Sequence, residues 1–139
     1  MTILFLASLP VAVGILCNTC FSLRAYRKDL LSDNKDLIDN ACFKLGEIKD
    51  TAAVKLLLTK ILDPRMSTDF RFKGMTVNYC KLSALQKISG VGKGIKLDQF
   101  KVDTLTTIFY IDWAIKSGYI KSREEVDIYF YKEGLHIKN

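Results

Sequence analysis

Leu45-Gly46-Glu47-Ile48-Lys49-Asp50-Thr51-Ala52-Ala53-Val54-Lys55-Leu56-Leu57 is the stretch on which the fold turns. Its apolar positions recur at helical spacing on either side of Asp50, so it reads as the end of one helix, a tight link and the start of the next. Shifting the frame by 40 residues puts Leu85 on Leu45, Ile88 on Ile48 and Val77 on Leu37. A period in this range marks an α-solenoid, whose helix pairs bury a common core by stacking. Such a fold presents a surface and rarely a reaction.

Working outward, Asp33 or Asn34 caps a first helix running to about Ile48, with Leu37, Ile38, Ala41, Cys42 and Leu45 on one side. Asp50 or Thr51 caps a second, about Ala52 to Leu62, which stops before Asp63-Pro64 because a residue preceding proline is pushed out of the helical region. The short link predicts antiparallel neighbours. Asp63 to Met75 is an interrupting loop with Arg65, Arg71 and Lys73 interleaved with Phe70 and Phe72. There the two phenylalanines are expected to tuck into the core and the basic groups to stay in water. A third helix spans about Thr76 to Ile88, and a fourth Leu97 to Lys116, although Thr104 to Ile108 also has strand character. Ser122 and Glu125 form a capping box that opens a last helix through about Glu133, an expected cap on the open end of the stack.

The N-terminus has a different composition. Every charged residue of the 139 lies beyond position 23, and Ile3 to Leu16 is almost continuously apolar. Twenty-two helical residues reach about 33 Å, enough for a bilayer. With Arg24, Arg27 and Lys28 after the run and no basic side chain before it, the positive-inside rule places the body in the cytoplasm. Residues 1-23 are therefore expected to be a membrane anchor, 24-34 a basic juxtamembrane linker and 35-139 the repeat domain. A signal peptide cleaved near Ala12-Val13-Gly14, giving an exported or periplasmic body, is the alternative.

The chemistry-bearing residues are sparse. Four cysteines include one Cys17-x-x-Cys20 with no second copy, and the single histidine is His136, so neither a zinc site nor a disulfide framework is expected. Cys42 and Cys80 fall in helices and read as small core hydrophobes. Gly90-Val91-Gly92-Lys93-Gly94 lacks the spacing and the following Ser or Thr of a phosphate loop and reads as a turn.

The run Ala41-x-x-x-Leu45-Gly46-x-Ile48-x-Asp50-x-x-Ala53-Val54 resembles the A-x-x-x-L-G-x-I-x-D-x-x-A-V pattern of HEAT-like repeats, as found in phycobilisome-lyase-related and many bacterial scaffold proteins. The likeness covers about residues 35 to 90. In the second copy Lys81 stands where the small Ala is expected, Gln86 replaces the Gly, and the glycine-rich turn replaces the Asp-x-x-Ala-Val linker. The resemblance implies an all-α fold, a short HEAT-like α-solenoid of stacked antiparallel helix pairs behind an apolar N-terminal helix. It implies an adaptor, since lyase members are a minority.

The functional expectation is thus a membrane-anchored scaffold that mediates protein-protein interaction, with no catalysis and no cofactor or metal. The net charge of +6, all of it in the body, favours an acidic partner surface. Arg65, Arg71 and Lys73, with Tyr129 and Tyr131 in the C-terminal cap, are the expected binding residues. Nucleic acid or anionic lipid is the alternative ligand for the same charge.

Overall fold

The computed structural model describes residues 10–130, and its fold is all-α: five helices and no strand among the described residues. The first, α1 (Pro10–Asp29), opens on a proline, whose missing N–H costs nothing in a first helical turn. It runs straight through Arg24, Arg27 and Lys28, so most of the expected linker is helix. Nothing between Cys20 and Asp29 breaks it, and Leu23, Tyr26 and Leu30, at three- and four-residue spacing, pack on the core. Among the described residues no helix is long and apolar enough to cross a membrane. The first nine residues of the expected anchor lie outside the described residues.

Asn34 caps α2 (Lys35–Ile48), accepting the Asp36 N–H, and Lys49 closes it in the left-handed region at φ 58°. Asp50 caps a single 3-10 turn, Thr51–Ala53, which leads into α3 (Val54–Leu58). That helix stops four residues short of the expected end. The cause is tertiary: the N–H groups of Lys60 and Leu62 are taken by the carbonyls of Asp127 and Ile128, at 2.6 and 3.0 Å. Thr76 caps α4 (Val77–Ser89), and Gly90, at φ 68°, ends it. Asp103 caps α5 (Thr104–Lys116), so residues 97 to 103, expected to be helical, instead lead into it as irregular chain and turns. The β-branched stretch is helical because Asp103 accepts from the Thr106 N–H and hydroxyl, and Thr107 bonds the Asp103 carbonyl.

The C-terminal helix is the largest departure. Ser122 makes no side-chain cap, and only a 3-10 turn, Arg123–Glu125, forms before Val126 turns extended. Glu125 instead accepts from the Lys121 N–H and from Lys55. The chain then lies beside residues 60 to 62 as an isolated parallel bridge, Leu62 to Tyr129.

The pair α2 and α4 makes the most extensive contact in the fold. Gly46 explains the approach: a Cβ there would sit 3.1 Å from the Ala84 Cα. By contrast α3, the expected partner of α2, packs mainly on α4 and α5. The core gathers Leu45, Leu57, Leu58, Ile61, Val77, Leu82, Leu85, Tyr110 and Ile111. Leu37, expected on the apolar face, is 43% exposed, and Ile48, the last residue of α2, is 50% exposed. Buried Asn78 ties three segments together, donating to the Ile61 carbonyl and Thr107 hydroxyl and accepting the Asp103 N–H.

Candidate binding cleft

The loop from Asp63 to Met75 is held against the start of α2 by one side chain. Asp36 accepts from the Ser67 hydroxyl, from both the N–H and hydroxyl of Thr68, and from the Asp69 N–H, at 2.8 to 3.2 Å. These donors, led by Ser67, hold its carboxyl down at about 2. Of the two phenylalanines expected inside, Phe72 is buried while Phe70 is 94% exposed.

With the loop so placed, α2, α4 and the loop together border a cleft of about 210 Å³. Its walls are Cys42 and Phe43 from α2, Phe72 and Met75 from the loop, and Tyr79, Cys80 and Ala84 from α4. Arg71 and Lys87 line it as well. Each has an acid: Arg71 pairs with Asp69 at 3.0 Å and reaches Asn40, while Lys87 pairs with Glu47. Both also lie over rings, Arg71 5.0 Å from the Phe72 centroid and Lys87 5.2 Å from that of Phe43.

Asp39 is the one acidic side chain of this lining. It is fully buried, and neither carboxylate oxygen receives a hydrogen bond. Burial lifts its carboxyl to about 6, against the pull of the nearby Cys80 thiol and Ser67 hydroxyl. Neither relieves it: a thiol is a weak donor, and the Ser67 proton goes to Asp36. The two thiols are themselves pushed up by burial, Cys42 to about 12, so neither is an available nucleophile at neutral pH. Among the described residues no group of three or more His, Cys, Asp and Glu side chains is arranged to hold a metal.

The expected binding residues separate. Arg71 reaches the cleft. Arg65 does not: it lines a smaller cavity of about 50 Å³ bordered by Asp63, Lys81 and Phe130. There its guanidinium pairs with buried Asp63 at 2.8 Å, donates to the Asp33 carbonyl and stacks 4.4 Å from the Phe130 centroid. Lys73 is exposed, and its backbone bridges to Ser67. Tyr129 lines a third groove, of about 420 Å³, with Leu62, Ile108 and Ile128. Tyr131 lies outside the described residues. Of the membrane-flank residues, Arg24 and Lys28 are exposed, while Arg27 holds Asp50 through two bonds of 2.6 and 2.8 Å. That pair fastens α1 to the turn between α2 and α3.

Sequence reasoning missed Asp39, Phe43 and Lys87. A signal was present: Asp39 falls one residue after Ile38 and two before Ala41, inside the apolar arc of α2, where an acid needs a reason. No family model, no curated protein and no solved structure matches the chain.

Proposed function

We propose that the chain is a non-catalytic adaptor of the HEAT-like type, with α2 to α5 acting as a short stack of helix pairs, and that it captures a protein partner in the cleft between α2 and α4. The observation that carries this reading is the cleft itself. It is open, walled by apolar and aromatic groups, and backed by helices whose packing fixes its shape. Half-exposed Phe43 stands at its edge, with Lys44 5.8 Å from its ring centroid. A partner that inserts one side chain between the helices and lays an acidic residue on Lys44 satisfies both features. Nucleic-acid or lipid binding through the basic surface has less support, because Arg65, Arg71, Lys87 and Arg27 already hold acids of this chain.

The test is site-specific photo-crosslinking in the cells that make the protein. A photoreactive residue replacing Ser83, in the cleft wall, should yield a discrete adduct with one protein. The same residue replacing exposed Lys93, in the turn after α4, should not. Equal labelling at both positions, or none at Ser83, sinks the reading.

A further inference from the structure

A fully buried carboxylate without a hydrogen-bond partner is uncommon, because it forfeits hydration and gains nothing in return. Every other carboxylate around it is engaged. Asp36 holds four donors of the loop, Asp63 holds Arg65, Asp69 holds Arg71 and Glu47 holds Lys87. Facing Asp39 from the packed elements are the Cys80 thiol of α4 and the Ser67 hydroxyl. The charges that reach it are Asp36, Asp63 and Arg65. None is a free cation. The floor of the cleft therefore lies over a covered negative charge with no ion pair among the described residues, while both cations on its lining are paired.

From this geometry we infer that the cleft is specific for a primary ammonium on an apolar stem, a lysine of the partner, with Asp39 as its counter-ion. The inference rests on the adaptor reading and names the side chain inserted. Size supports it, since a dry cavity of roughly 150 Å³ holds a molecule such as benzene, and about 210 Å³ admits four methylenes and an ammonium. The walls suit the stem: Cys42, Phe43, Phe72, Met75 and Ala84 offer little to a polar chain. Aromatic faces beside a carboxylate favour a cation over a neutral alkyl group. A lysine ammonium is a compact point charge on a flexible four-carbon stem, so it can meet the carboxylate end-on without the two-pronged planar approach that a guanidinium fork makes. The desolvation of Asp39 is already incurred in the folded protein, so pairing gains more than it would at a wet surface.

Two blocked amino acids in NMR titration of the full chain test this. N-acetyl-lysine methylamide and N-acetyl-norleucine methylamide share the four-carbon stem and differ by the ammonium. At pH 7.5 the lysine probe should shift the Ala84 and Met75 methyl signals with at least fivefold tighter affinity than the norleucine probe. That preference should fall away toward pH 5 as Asp39 takes up a proton, and the bound lysine probe should lower the midpoint at which Asp39 titrates. In Asp39→Asn the preference should vanish with norleucine binding unchanged. The pH series on the unaltered protein decides the matter even if that variant fails to fold. If norleucine binds as tightly as lysine at pH 7.5, the ammonium inference fails while apolar anchoring in the cleft stands. If neither probe shifts the lining residues at their solubility limit, both fail. Phenethylamine binding while the lysine probe does not would make the source a small amine and overturn the partner lysine.

Discussion

Asp39 also writes itself into the pH dependence of stability. Its folded-state carboxyl sits near 6 against an ordinary 3.8, so between those two pH values the folded protein holds a proton that the unfolded chain has released. The sign follows: stability is greatest below about pH 4 as far as this group is concerned, and is lost as pH rises through 6. Two pH units at 1.36 kcal/mol each make the loss about 3 kcal/mol. Replacing Asp39 by Asn should remove it. Urea denaturation of both proteins at pH 4.5 and 7.5 should show the variant gaining on the natural chain by a few kcal/mol at the higher pH. A difference independent of pH refutes the buried-charge account. Asp36 behaves oppositely, since its lowered carboxyl contributes stability above about pH 4 that is lost as pH falls toward 2. Both chains carry it, so it cancels in the comparison. At the same scale, Gly46→Val should cost about 1 to 3 kcal/mol, because a side chain there meets the Ala84 backbone and pushes α2 off α4. Unchanged stability of that variant in the same denaturation series would mean that the two helices separate freely.

Among the elements, α2 and α4 were legible because their caps and spacing are local. Asn34, Thr76 and Gly90 act where a sequence reader looks for them. The short α3 and the missing C-terminal helix were not, because two backbone donors of residues 60 to 62 are consumed by residues 127 and 128, a pairing that no local window contains. The same limit hid the cleft. Arg65 and Arg71 look alike in sequence, six residues apart in one basic loop, yet Asp63 and Phe130 draw one inward and Asp69 keeps the other at the cleft. Lys81, which breaks the repeat pattern, is buried and donates to the Thr59 carbonyl at 2.6 Å, holding the end of α3. Asn78 does comparable work for α5. Asn78→Ala leaves the Ile61 carbonyl and the Asp103 N–H without partners, and unsatisfied buried groups cost about 1 to 3 kcal/mol each. The variant should unfold at clearly lower denaturant than Asn40→Ala, a partly exposed position on α2. Equal midpoints for the two would show that Asn78 is not a tie between elements.

For the whole molecule, the open question is how the N-terminal apolar segment relates to the folded body. Leu23 and Tyr26, with Leu30 just beyond the helix end, attach the last turns of α1 to the core, and Arg27 grips Asp50, so this part of α1 belongs to the domain. A chain that starts at Phe21 keeps all four of these contacts. It should melt within a few degrees of the full chain, since what it loses is the uncharged segment ahead of them. Its partition between membrane and soluble fractions should change completely. We propose that the full chain stays with membranes through high salt and carbonate washes, because a stretch without charge from Thr2 to Leu23 partitions by its apolar surface and not by ionic attraction. The shortened chain should be released, and the Arg24, Arg27 and Lys28 cluster alone should hold it only weakly and only at low salt. Full-length protein that washes off with carbonate overturns the anchor. A product recovered with a mature start near Asn18 shows cleavage instead, and places the folded body outside the cytoplasm.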